Sequence, residues 1–307
     1  MSESSRVLVV VDPTATQQPA AERAAWFAKK MNASLDLFIC DYDQHLSTQE
    51  VFDPVLLEKT RVDLLARYEK RLEDLAERFR ADGVEVSVSA RWDTPLHEGI
   101  LRQIEALKPA MVVKDTHYHN AIRRAIFSNT DWNLIRKCPV PLLLVKPIDY
   151  GKKVKIIAAV DPTHAADKSA NMDRIILAAA ENIRAVSDGE VHVVHAVNDT
   201  AAYIMAAEPL GMPLVAPTKE LVESLRIQHK NSVDKLLNES TVARENIHVL
   251  SGDPREVLVA QAEALYADIV VLGAVSRGAI DRLLLGSTAE RVLDHLPCDL
   301  LIVKAPK

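Results

Sequence analysis

The chain has 307 residues, 48% of them hydrophobic and 26% charged, and carries a formal net charge of -6. That length accommodates two domains, each with its own core, and the composition is that of a globular protein. The acidic balance and the lack of a basic arm argue against a nucleic-acid partner, and no apolar run reaches the roughly 18 residues that a membrane span needs.

Taken in chain order, the amino-terminal "MSESSRVLVVVDP" has no basic segment followed by a long apolar one, so no leader is expected and the protein is expected in the cytoplasm. "RVLVVVDPT" is a buried strand ending at Asp12. "ARYEKRLEDLAERF", Ala66–Phe79, is an amphipathic helix with i,i+4 charge pairs, and "TPLHEGILRQIEAL" is a helix opened by Thr94 and Pro95. After "PIDYGKK", Pro147–Lys153, which reads as a linker, come strands "KIIAAVD", "EVHVVHAV", "NIHVL", "DIVVLG" and "DLLIVK". Between the third and fourth of these, "DPREVLVAQAEAL" offers Asp253 as N-cap, Pro254 at the first helical position and Glu256 at capping-box spacing. "ESLRIQHKNSVDKLL", Glu223–Leu237, reads as a helix with a solvated face. Cys40, Cys138 and Cys298 each sit in or beside an apolar run without CxxC spacing, the pattern of buried, reduced thiols.

The chain repeats itself. "VDPT" occurs at Val11–Thr14 and Val160–Thr163, each time closing an apolar run. "EALKPAMVV" (Glu105–Val113) answers "EALYADIVV" (Glu263–Val271), and "HNAIRRAIFSNTDWNLIRKCPVPLLLVK" aligns without gaps on "RGAIDRLLLGSTAERVLDHLPCDLLIVK". Two tandem domains follow, residues 1–147 and 153–307. β-branched runs alternating with helices predict an α/β fold for each, Rossmann-like and doubly wound. Each is expected as a five-stranded parallel sheet of order 3-2-1-4-5 with helices on both faces.

In such a sheet ligands bind beyond the carboxyl ends of the strands, where the strand order reverses. The strand ending at Asp161 and the strand ending at Gly273 flank that point in the second half. Gly273 would let the backbone approach a ligand without a Cβ in the way. Gly286-Ser287-Thr288 opens a helix, with Ser287 and Glu290 at capping-box spacing, and free N–H groups there favour a phosphate. Arg277 lies between and reaches an anion. The stretch has neither the GxxxxGK[ST] nor the GxGxxG spacing, and an αL turn followed by a good N-cap also explains it.

Gly273-Ala274-Val275-Ser276, nine further residues and then Gly286-Ser287 resemble the G-x2-G-x9-G-[ST] pattern of the nucleotide-binding universal stress proteins. Ser276 stands in place of the second glycine. The strand ending in Asp161, "GDP" at Gly252–Pro254 and the closing "CDLLIVK" fit that family too, and the resemblance covers nearly all of both halves. It implies ATP in the second half, with Mg²⁺ held through the phosphates. Val160 and Ala196 would line the adenine with backbone groups, and Asp161 would face the ribose. Leu272, Gly273, Ser276 and Arg277 would hold one side of the phosphates, and Gly286, Ser287 and Thr288 the other. If position 276 needs a positive φ, serine there costs on the order of 1 kcal/mol; if not, its hydroxyl adds a hydrogen bond worth about as much. The resemblance also implies a role in stress resistance and pairing of the closing strands "PLLLVK" and "DLLIVK" in an intramolecular pseudo-dimer, with a further homodimer left open.

The first half lacks the glycines. In "DTHYHNAIRRAIFSNT", Asp115 replaces Gly273, Tyr118 replaces Ser276 and Ser128-Asn129 replaces Gly286-Ser287. A carboxylate where a phosphate should approach is repulsive, so this half is expected to have lost the nucleotide, while Asp12 and Thr14 fit the fold as easily as a ligand. Asp115, His117 and His119 are hydrogen-bonded loop residues or, less simply, part of a zinc or nickel site lacking an identified fourth ligand. His192 and His195 differ by three on a strand, which points them to opposite faces and argues against a joint site. "AAYIMAAEPLGMPLVAP", Ala201–Pro217, is a loop packed over the sheet or a lid on an apolar pocket. No GxSxG, HExxH or Cys–His arrangement is present and no general base is assignable, so any ATP hydrolysis is expected to be slow. The alternative is a stress-linked interaction or carrier protein for an apolar, lipid-like ligand, with a vestigial nucleotide site.

Overall fold

The computed structural model describes residues 5–43, 54–119, 124–126, 128–164, 169–197, 218–274 and 295–305. The chain divides into two units, Met1–Pro147 and Ile148–Lys307.

In the first unit β1 (Arg6–Val10), β2 (Ser34–Asp41), β3 (Val86–Trp92), β4 (Met111–Asp115) and β7 (Leu142–Val145) form a parallel sheet ordered β3-β2-β1-β4-β7. A short antiparallel hairpin, β5 (His117–His119) with β6 (Arg124–Ile126), follows β4. The strands are apolar runs because the central ones have no solvent face: Val7, Leu8, Val9, Leu35, Leu37 and Phe38 are wholly buried. Asp36, buried in the middle of β2, is held by Arg6 Nη1 at 3.3 Å and by the Ser87 hydroxyl, both of which donate to its carboxylate.

Helices α1 (Pro19–Met31), α2 (Pro54–Ala81), α3 (Leu96–Leu107) and α4 (Asn129–Lys137) connect these strands. α1 buries an alanine face with Phe27 and stops at Asn32, whose φ of 49° lets its N–H reach back to the carbonyls of Ala28 and Lys29. α2 contains the amphipathic stretch and buries Leu72, Ala76 and Phe79. The start of α3 differs from the expectation. The helix begins at Leu96 with Pro95 as an N-cap that has no side chain to offer, and Asp93 accepts from Thr94 N (2.9 Å) and Arg102 instead. Thr94 makes no helix cap because the chain is still extended at Pro95, with ψ 149°.

The second unit repeats the plan. β8 (Lys155–Ala159), β9 (Glu190–Val197), β10 (Ile247–Ser251), β11 (Ile269–Ala274) and β12 (Asp299–Lys304) form a parallel sheet ordered β10-β9-β8-β11-β12. Numbered within each unit, both sheets have the order 3-2-1-4-5. The order reverses direction after the third strand, so right-handed crossovers place the helices on both faces. The connecting helices here are α5 (Ser169–Ser187), α6 (Lys219–Leu236) and α7 (Pro254–Leu265). α5 lays Met172, Ile176, Ala180 and Ile183 on β8 and β11, each large side chain contributing about 1.5–3 kcal/mol relative to exposure. Pro254 opens α7 and Asp253 caps it, accepting from Arg255 N at 2.9 Å.

The residues read as a linker fold in part onto the second unit. The Asp268 carboxylate accepts from Gly151 N (2.9 Å) and Lys155 N (2.8 Å), and Tyr150 donates to Asp299 at 2.8 Å. Cys40, Cys138 and Cys298 are buried and in no disulfide. Among the described residues no helix is long and apolar enough to cross a membrane.

Candidate functional site

The crevice of the second unit opens where β8 and β11 lie side by side and the sheet reverses. Val160 continues β8: its N–H donates to Val194 O at 3.1 Å, and its carbonyl accepts from His195 Nδ1 at 2.9 Å. Asp161 follows, its N–H held by the buried Asp173 of α5 at 2.9 Å and its carboxylate 55% exposed at the mouth. Ala196 lies near the end of the neighbouring β9, and Leu272 and Gly273 at the end of β11, all three partly exposed. Five of the residues singled out from the sequence therefore gather at the ends of three adjacent strands. Ser276, Arg277, Gly286, Ser287, Thr288 and the cap residue Glu290 lie outside the described residues, as do Ala201–Pro217.

Two glycines of this crevice have different reasons. Gly252, in the loop after β10, has φ 141°, a conformation that side chains rarely adopt, and its N–H donates to Val197 O. Gly273 has an ordinary backbone. A Cβ there would lie 2.5 Å from Met172 Cγ and 3.1 Å from Ile176 Cδ1, so the glycine makes room for α5 whether or not a ligand approaches. The repeated VDPT is likewise a local device. Thr163 donates its hydroxyl to Asp161 at 2.8 Å, and Thr14 donates hydroxyl and N–H to Asp12 at 2.6 and 2.7 Å.

The corresponding crevice of the first unit is filled differently. Asp115 accepts from Ala20 N at 2.7 Å and so caps α1, whose own N-cap Gln18 provides no side-chain bond. Ser128 caps α4 in a reciprocal box: Asp131 N donates to Ser128 Oγ, and Ser128 N donates to Asp131 Oδ2 at 2.7 Å. The other oxygen of Asp131, a fully buried residue, pairs with Lys114 Nζ at 2.8 Å. A cavity of about 260 Å³ remains here, lined by Val10, Cys40 and Ile100 and also by Lys114, Ser128 and Thr130. Burial, and then the Asp93 charge, push the Cys40 thiol up to about 12, so it is no thiolate nucleophile at neutral pH. His117 and His119 stand on β5, but their side chains lie outside the described residues. Among those described, no three His, Cys, Asp or Glu side chains gather as a metal site.

Two histidine pairs escaped the sequence reading. His192 and His195 do face opposite ways from β9, and each meets a partner from elsewhere in the chain. His195 Nε2 lies 2.7 Å from Nδ1 of His229, on the α6 face read as merely solvated, and His192 Nδ1 lies 3.3 Å from His248 Nε2 on β10. Since a carbonyl only accepts, His195 carries its proton on Nδ1 for Val160 O; with both rings neutral, His229 then donates to His195 Nε2.

Burial lowers both His192 and His248 below the ordinary 6.5; Glu190 opposes this at His192, while His248, Lys155 and Lys153 reinforce it. With folded values depressed, the unfolded chain binds more protons between the folded and unfolded pKa. The contribution is therefore complete above about 6.5 and is lost as pH falls through the folded values. Urea midpoints should be higher at pH 7.5 than at 5.5, and a His192→Asn/His248→Gln variant should show a smaller difference. An unchanged difference would remove these rings from the acid response.

The Universal stress protein family model matches residues 3–146 and again 155–304. Universal stress protein E of Escherichia coli is 30% identical over 309 aligned residues, covering 99% of this chain and 95% of that protein. The universal stress protein E homolog of Haemophilus influenzae is 26% identical, covering 98% and 97%. Among solved structures, a functionally unknown protein of Pseudomonas aeruginosa matches with a TM-score of 0.75 at 24% identity, covering 99% of this chain and 93% of that one. A universal stress protein of Archaeoglobus fulgidus matches with a TM-score of 0.66 at 16% identity, covering 98% and 99%.

Proposed function

Since the chain belongs to the universal stress protein family and has the tandem form of universal stress protein E along its whole length, we propose that it acts in cytoplasmic stress resistance by binding ATP in its second half. The observation that carries this reading is the contrast between the two crevices. Both stand at the same reversal of strand order; in the first the chain's own ion pair, Lys114 with Asp131, stands there, and the aligned positions of the second are Leu272 and Ala289 in the sequence. In the second, Val160, Ala196 and the exposed Asp161 carboxylate stand together at the strand ends, where a base and a ribose would be received. As the sequence predicts, Gly286-Ser287-Thr288 would supply helix N–H groups for phosphates and Arg277 a cation. Bound Mg²⁺ would neutralise phosphate charge. The chain's residues would bind and orient, and because no sequence motif assigns a general base, turnover is expected to be slow.

Calorimetric titration of purified protein with Mg·ATP tests this. One site per chain is expected, hardly altered by Ser128→Asp in the first half. Two equal sites, or no heat at all, would sink the reading. An apolar molecule copurifying with the protein, seen by mass spectrometry alongside absent heat, would point to a carrier.

A further inference from the structure

We propose that Asp131 is a built-in anion. With Lys114 and the first turn of α4 it permanently fills the place in the first crevice that a ligand's phosphate would take. It is thereby the residue that closes this half to anions. The inference deepens the proposed function only in taking the strand-end crevice as the ligand site.

Three observations converge. A helix start with an adjacent lysine is the usual furniture of a phosphate site, and here both are already engaged. Asp131 is wholly buried. One of its oxygens accepts from Ser128 N at 2.7 Å and Ser128 Oγ at 2.8 Å, and the other meets Lys114 Nζ at 2.8 Å. Lys114 also donates to the carbonyl of Asp115 at 3.0 Å, so the chain itself supplies two partners for its ammonium. The second carboxylate of the crevice, Asp115, is spent in the same way on α1 through Ala20 N. In the gapless alignment of the halves, Lys114, Asp115 and Asp131 stand opposite Leu272, Gly273 and Ala289. The half expected to take a nucleotide thus lacks the lysine, its counter-ion and the second carboxylate together, as an internal replacement for a phosphate requires. A cap alone would not need Lys114, because the reciprocal Ser128–Asp131 box is complete without it.

The test uses the full chain with inorganic pyrophosphate as probe and tryptophan fluorescence as readout. Trp26, Trp92 and Trp132 all lie in the first half, and Trp132 adjoins Asp131 on α4, so events in the second half are silent. Asp131→Asn leaves Lys114 charged beside a helix N-terminus and should bind pyrophosphate at least about tenfold more tightly than the unaltered chain. Lys114→Met/Asp131→Asn, with the same helix start but no cation, should not gain. If Asp131→Asn does not fold, Asp131→Ser carries the same expectation. The proposal is overturned if a folded variant gains nothing, if the unaltered first half already binds pyrophosphate as tightly, or if the double variant gains equally. Failure of ATP binding in the second half would leave this readout untouched, so the two readings fail separately.

Discussion

A Gly286→Asp variant should give no measurable heat with Mg·ATP under conditions where the unaltered protein titrates as one site per chain. The expectation rests on charge as much as on shape. The sequence places Gly286 before an expected helix whose first N–H groups would be the phosphate partners, and an aspartate there would take those donors for itself. A like charge held about 4 Å from a phosphate costs about 4 kcal/mol at an effective dielectric of 20, about a thousandfold in affinity. The first half already displays the outcome: the carboxylate of Asp131 holds the Ser128 N–H and the nearby cation, leaving no donor or charge for an incoming anion. Ser128→Asp, at the aligned position of the half that is already filled, is the matched control and should leave the heat intact. Unchanged binding in Gly286→Asp would place the nucleotide elsewhere.

The architecture was legible because its signals are local and occur twice. β1 and β8 both run on into VDPT, the buried strands are continuous apolar runs, and the helix after β10 announces itself with Asp253-Pro254. The expected nucleotide site rests on the spacing from Gly273 to Gly286. What sequence did not reveal depends on contacts between distant residues. His229 sits in a helix whose charge pattern suggests only solvent, and its partner His195 is 34 positions earlier; His248 and His192 are 56 apart. Gly273 was read as clearance for a ligand, and it also clears Met172 on α5, a neighbour that no periodicity names. Asp115 was read as a charge that repels phosphate, and its bond to Ala20, 95 positions away, shows why the chain keeps it. At Pro95 the error was local: Thr-Pro looked like a cap and first helical residue, but the helix starts one residue later.

Lys114→Met should destabilise the first half by about 3–5 kcal/mol, the usual cost of leaving one member of a buried ion pair alone. The side chain of Lys114 is 13% exposed and that of Asp131 not at all, so water cannot replace the lost partner. Because every tryptophan lies in the first half, urea unfolding followed by tryptophan fluorescence isolates this unit. Lys114→Met/Asp131→Asn should recover most of the loss, since no unpaired charge is then buried and the asparagine oxygen still accepts from Ser128 N. Arg78→Met provides the contrast. Arg78 and Glu22 are also only 2.7 Å apart, but their side chains are 65% and 52% exposed, and an exposed pair of that kind is worth about 0–1 kcal/mol. Equal bond lengths with unequal costs would show that burial, rather than proximity, gives Asp131 its hold on the crevice. A loss below about 1 kcal/mol in Lys114→Met would mean that Asp131 does not need its cation. The internal anion would then be a cap and nothing more.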